Sequence, residues 1–229
     1  MPYHARRHQL EGNLIYHVLN RANAKNEIFR EDADYKYFRT TILRYSNEKN
    51  ISVYHYCIMP NHYHLLLELK DPELLSSVMA GINKSYTTYY HKKFQTAGYL
   101  WQGRFKSKPI QKYKHLLACG RYIERNPVVC GIASNAEDYP YSSAKYYVRG
   151  EEDMLISEDP LYISFAKEEK ERKVNYKQFL LNFDRDAEEG YNNFDTPTGD
   201  SFFTSRLYKK EGRYLPKRQG RPKAKIFVS

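Results

Sequence analysis

The sequence predicts an α+β fold: a ferredoxin-like βαββαβ core whose four-stranded antiparallel sheet carries helices on one face. A further helix and a C-terminal helical and basic extension follow it. Three observations predict this. Strand-like segments rich in β-branched and aromatic residues alternate with segments whose apolar residues recur every three or four positions. Two of the strand segments are joined by Pro60-Asn61, a tight-turn dipeptide, and so form a hairpin. The order strand, helix, strand, strand, helix, strand is the split βαβ arrangement. That order is shared by many unrelated activities and assigns none.

Each element has its own signal. "NLIYHVLNR" (13–21) is the first strand. "EDADYKYFRTTILRYSNEKN" opens on acids that suit a helix N-terminus, carries Tyr35, Phe38, Ile42 and Tyr45 at helical spacing, and ends in Asn50. "ISVYHYCIM" and "HYHLLLEL" are the hairpin strands. "PELLSSVMAGINKSYTTYYHKKF" is a long amphipathic helix begun by Pro72 and Glu73. "FKSKPIQKY" reads as a short basic strand weakened by Pro109. "KHLLACGRYIERN" is a helix expected to stop at Pro127.

Composition bounds the function. A chain of 229 residues buries one sizeable core. Its 37 Lys and Arg against 27 Asp and Glu give a net charge of +10, which favours polyanionic partners, although a solvated basic surface gives the same count. Cys57, Cys119 and Cys130 lack C-x-x-C spacing, which argues against a disulfide framework or zinc ribbon and for a reducing, cytoplasmic setting. No apolar run approaches the roughly 20 residues of a membrane span. The basic N-terminus has no apolar stretch after it and does not read as a signal peptide. With 23 tyrosines, identity alone selects none of them.

Three regions follow from the charge pattern: a core over 1–150, a peripheral acidic helical appendage over 151–205, and a basic flexible tail over 206–229. Residues 151–195 hold 13 acids against 6 basic side chains, whereas 206–225 hold nine Lys or Arg and one acid.

His62 and His64 open the second hairpin strand. Residues i and i+2 of a strand share a face, about 7 Å apart, so the two imidazoles project together while Tyr63 points away. Such a pair is half of a divalent-metal site, or a pair of ordinary cross-strand histidines. Tyr122 and Asn126, four residues apart on the last core helix, lie about 40° from eclipsed and share a face. Asn126 offers a hard oxygen ligand suited to Mg²⁺ or Mn²⁺, or else simply ends the helix; Tyr122 is a hydroxyl near the same ion, or a core aromatic. Glu124 faces elsewhere.

"PNHYHLLL", "YLWQGRFKS", "RYIERNPVVCGI" and "DYPYSSA", in that order and spacing, resemble the REP-associated tyrosine transposases, within the single-tyrosine histidine–hydrophobic–histidine (HUH, IS200-like) transposases. The resemblance spans roughly residues 12–147. It implies a ferredoxin-like fold, a divalent metal held by His62 and His64, a nucleophilic Tyr122, and Asn126 as third ligand. It also implies cleavage and rejoining of single-stranded or hairpin DNA through a 5′-phosphotyrosine, by a monomer in preference to a homodimer, without a small-molecule cofactor. Relatives commonly carry His two residues after the tyrosine, where this chain has Glu124; because that position faces away from the metal, little effect on the chemistry is expected, and DNA contacts there could differ. Arg104, Lys106 and Lys108 alternate along a strand as a phosphate track. Trp101 reads as a base-stacking group or as core. "KRQGRPKAK" resembles a minor-groove AT-hook, which makes Lys217, Arg218, Arg221 and Lys223 DNA-binding candidates. A non-catalytic nucleic-acid-binding module and a water-using metal hydrolase are the alternative readings.

Overall fold

The computed structural model describes residues 14–183 and 185–211. Strands β1 (Leu14–Arg21), β2 (Ile51–Met59), β3 (His62–Leu69) and β4 (Lys106–Ile110) form one antiparallel sheet in the order β2-β3-β1-β4. This is the ferredoxin-like arrangement that the order of elements predicts. Helices α1 (Asp32–Lys49) and α2 (Leu74–Phe94) cover one face. The helix after the βαββαβ unit, α3 (Lys112–Val129), packs on the opposite face, so the sheet is buried on both sides.

Local chemistry sets the ends of α1. The Asp34 carboxylate accepts the backbone N–H groups of Arg30 and Glu31, closing a capping box. Asn50 takes the left-handed conformation at the other end and hands the chain directly to β2. Between this layer and the sheet lies an aromatic core in which Phe29, Phe38, Tyr63, Tyr86 and Trp101 touch one another. Trp101 donates its indole N–H to the Asn83 carbonyl and the Thr87 hydroxyl, both on α2. It is therefore half-buried against the core, the alternative to base stacking that the sequence offered.

The α3 face is held by charge as well as by apolar contact. A bulge near Val53 turns both Tyr54 and His55 of β2 toward α3. The His55 ring lies fully buried between two carboxylates, Glu124 of α3 at 2.9 Å and Asp159 at 3.0 Å. Ser143 and Tyr176 donate their hydroxyls to the same Glu124. Burial pulls an imidazole down, but Glu124 and Asp159 outweigh it and lift His55 from its ordinary 6.5 to about 9. The helix approaches this closely because residue 120 is glycine: a β-carbon there would lie 2.7 Å from the His55 ring. Glu124 thus faces away from Tyr122, as the helix geometry predicts, and is a buried anchor.

Two further expectations change. Pro127 does not stop α3, which continues to Val129. The Asn126 side chain donates to the carbonyl of Ile123, the group that Pro127 leaves without its usual N–H partner, and to that of Tyr122. The segment after residue 150 is not peripheral either. Leu155, Phe203 and Leu207 join the main core, and Tyr162, Tyr176 and Leu180 form a cluster with Tyr147 of α4 (Ala144–Arg149). Its acids include structural partners: Asp153 holds Arg39 and Tyr56. Helices α5 (Glu169–Leu181), α6 (Arg185–Asn192) and α7 (Ser201–Glu211) complete the described chain. Residues 206–211 of the expected tail are helical; the remainder, with Lys217, Arg218, Arg221 and Lys223, lies outside the described residues. Among the described residues, Cys57, Cys119 and Cys130 are free. Among the described residues no helix is long and apolar enough to cross a membrane.

Two outcomes follow. His55 binds its proton more tightly folded than unfolded, so its contribution is complete below pH 6.5 and is lost as pH rises toward about 9. Thermal melts should show a falling melting temperature across that window, and Glu124→Gln should cost on the order of 3 kcal/mol at pH 6 while flattening the slope. Trp101→Ala should cost about 3 kcal/mol in a denaturant titration; a variant as stable as the parent would return Trp101 to the surface role.

Candidate functional site

Strand pairing decides which side chains meet. Register places Arg21 opposite His62, Leu19 opposite His64 and Lys108 opposite His17. With a two-residue side-chain period, His17, Arg21, His62 and His64 all face α3. His62 and His64 stand as neighbours, ring centroids 5.1 Å apart, as their spacing predicts. The Tyr122 ring comes down from α3 to 5.8 Å from both His64 and His17. Asn126, one turn on, lies near enough to His62 to act on its ring electrostatically. The two histidines and the Tyr122–Asn126 pair, 58 positions apart in sequence from His64 to Tyr122, are therefore brought together within one chain.

Hydrogen bonds fix which atoms are left to act. His64 Nδ1 lies 2.8 Å from His17 Nε2, and His62 Nδ1 lies 2.6 Å from the Asn61 side-chain oxygen. His17 Nδ1 in turn points toward the Tyr191 carbonyl without closing a hydrogen bond of good geometry. With the Asn126 amide nitrogen engaged by the carbonyls of Tyr122 and Ile123, its oxygen is the outward-facing atom. Each Nε2 of the histidine pair is correspondingly the ring nitrogen turned away from its supporting partner.

The electrostatics suit neutral donors. Burial first, then the positive charge of Arg21, hold His62 down to about 4; Asn126 opposes them. Burial also holds His64 well below its ordinary value; its closeness to His17 and His62, which could not all carry protons together, and the Arg21 charge push the same way. His17 is lowered by burial and then by Lys108. All three rings are neutral at pH 7 and carry lone pairs. The Tyr122 phenol is raised, chiefly by burial, with Arg21 pulling the other way. It is half-buried, so it waits as a protonated hydroxyl that still reaches solvent.

The donor set, two imidazole nitrogens and one amide oxygen, fits a hard divalent ion that takes its remaining ligands from water or phosphate. Among the described residues no group of three His, Cys, Asp or Glu gathers as a closed metal cage. Of the expected DNA contacts, Arg104 and Lys106 are exposed. Lys108 is not. It is fully buried, its ammonium donating to the carbonyls of Gly190 at 2.6 Å and Asn193 at 2.9 Å, and burial lowers it to about 8. It alternates with Lys106 along β4, but α6 covers it; Arg104 lies before the strand and not on it.

Four residues near the centre were not anticipated: His17, Arg21, Tyr191 and Phe194. His17 and Arg21 lie four apart in β1 and share a face on either side of Leu19; strand periodicity fixes that shared face, but no polar alternation in the sequence marks it. Tyr191 packs 5.9 Å from Tyr122 and Phe194 packs 4.8 Å from His17, both through long-range docking with no local signal.

The family model described as "Transposase IS200 like" matches residues 11–126, just over half of the chain. A candidate REP-associated tyrosine transposase of Haemophilus influenzae is 31% identical over 106 residues, covering 42% of this chain and 60% of that protein. A REP-associated tyrosine transposase of Escherichia coli K12 is 24% identical over 139 residues, covering 60% and 80%. This chain thus spans less than two thirds of the Haemophilus relative. Among solved structures, a REP-associated tyrosine transposase bound to a REP hairpin superposes with a TM-score of 0.55 at 22% identity, over 69% of this chain and 93% of that one, and so shares the fold. By family match, motif order and fold together, this chain belongs to the IS200-like transposases.

Proposed function

We propose that the chain is a metal-dependent endonuclease and strand transferase for single-stranded DNA at foldback hairpins, with Tyr122 as nucleophile and His62, His64 and Asn126 as ligands of Mg²⁺ or Mn²⁺. The observation that carries this reading is the Tyr122 ring 5.8 Å from His64, with Asn126 on the same helix face against His62. The relative whose structure contains a REP hairpin supports the choice of substrate.

In the reaction, the Tyr122 oxygen forms a bond to a backbone phosphorus as the bond to the 3′ oxygen breaks. The phenol gives up its proton and the departing 3′-hydroxyl gains one. The product is a 5′-phosphotyrosine, whose phenol leaving group, with a pKa near 10 in its free form, allows another 3′-hydroxyl to reverse the step without ATP. A bound divalent cation supplies charge neutralisation on the phosphate oxygens. The chain itself holds Tyr122 in place through α3, keeps the histidines neutral, and fixes their outward nitrogens through His17 and Asn61. Arg104 and Lys106 meet the phosphate backbone, and Lys217, Arg218, Arg221 and Lys223 extend that grip. With α3 packed on its own sheet, a monomer acting in cis is the simplest reading.

Purified full-length protein, a hairpin oligonucleotide and Mg²⁺ or Mn²⁺ should give a denaturation-resistant protein–DNA adduct that Tyr122→Phe abolishes. An adduct persisting in that variant would remove the residue assignment, and cleavage without any protein-linked product would favour a water nucleophile. Titration of Mn²⁺ followed by the loss of its free-ion resonance should show His17→Leu weakening binding about tenfold or more, through release of His64. Unchanged affinity would contradict the supporting role.

A further inference from the structure

A cavity of about 370 Å³ opens beside the histidine pair, where the end of β1 meets the loop before β4. Its walls include Asn20, Arg21, Gln102, Arg104, Lys106 and Asn192, so cationic and carboxamide residues line one hollow. The cavity is built by backbone bonds. The Gln102 N–H donates to the Arg21 carbonyl and the Asn23 N–H to that of Leu100, while Ala22 bridges Trp101. Its far wall is fixed by Glu188 of α6, which pairs with Arg121 at 2.8 Å, and by Lys108, which holds the Gly190 and Asn193 carbonyls on either side of Asn192.

Arg21 joins the hollow to the candidate centre. It lines the cavity, stands opposite His62 in the sheet, and its charge is felt at His62, His64 and Tyr122. A guanidinium there suits an anion that bridges the two spaces, and its fork matches two oxygens of one phosphate. Carboxamides offer both donors and acceptors and pair with base edges. The volume accommodates one nucleotide and is too small for a duplex.

We propose that this cavity is the subsite for the nucleotide adjoining the cleaved phosphodiester of a single-stranded DNA, with Arg21 paired to the phosphate and Gln102 and Asn192 hydrogen-bonded to the base. Arg21 is then a catalytic residue, touching the reacting group, and the two carboxamides set preference at one position. The inference rests on the DNA-cleaving reading above.

Binding in EDTA, where chemistry is stalled, tests it separately from cleavage. The probe is a fluorescent hairpin oligonucleotide with a single-stranded flank, compared with the same strand carrying one abasic nucleotide scanned along that flank. Wild type should show one flank position where base loss weakens binding about tenfold, a penalty that Gln102→Ala/Asn192→Ala removes. Arg21→Gln should lower the slope of log affinity against log salt by about one, and Arg21→Lys should restore it. Lys106→Gln, on an exposed side chain, gives a second reading of the slope should Arg21→Gln fail to fold. No base-sensitive position, a penalty that survives the double variant, or a slope unchanged by Arg21→Gln and Lys106→Gln would overturn the proposal. Absence of a covalent adduct when metal is restored would instead count against the cleavage reading and leave the binding result standing.

Discussion

The buried His55 imidazolium, clamped between Glu124 and Asp159, is the interaction on which the arrangement of the site depends. It joins three parts of the chain that sequence keeps far apart: the central hairpin, α3, and the segment beyond residue 150. Its folding value is conditional, because a buried charge is stabilising only while its partners stay in place. Gly120 permits the contact by leaving room for the ring, and Ser143 and Tyr176 satisfy the remaining oxygens of Glu124. Two residues before Glu124 and on the other side of the helix, Tyr122 is then directed at the histidines of β3. The same helix therefore carries an anchor on one face and the reactive pair on another.

The portion of the chain outside the family match is part of this design. Residues 188–194 dock through Glu188 to Arg121 and through two backbone carbonyls to the ammonium of Lys108. That docking sets Tyr191 against Tyr122 and Phe194 against His17, which removes water from the rings and keeps them neutral. A neutral imidazole pair is what a metal-binding role requires, and burial is the main cause of that neutrality. Arg21 supplies positive charge to the same space from the sheet itself.

Much of this was legible in the sequence. The βαββαβ order, the Pro60-Asn61 hairpin and the shared direction of His62 and His64 follow from short-range periodicity, which needs no knowledge of tertiary packing. The Tyr122–Asn126 pair follows from helix geometry in the same way. What failed were inferences about exposure. Lys108 lies on the expected strand, yet α6 covers it. The acids of 151–195 suggested a solvated appendage because a charge count does not separate Asp159, held by His55, from acids that face water. Pro127 misled because the rule for helix interiors omits a neighbouring Asn side chain able to occupy the vacant carbonyl.

The central claim is that one chain gathers the hairpin imidazoles and the α3 amide oxygen around a single divalent ion, beneath the phenol of the same helix. Anomalous diffraction at the manganese edge from crystals of the full chain grown with Mn²⁺ tests it most directly. The account requires one peak bounded by His62 Nε2, His64 Nε2 and the Asn126 side-chain oxygen, with the Tyr122 of that same chain above it. Manganese bound away from these three atoms, or capped by the tyrosine of a second chain, would contradict it.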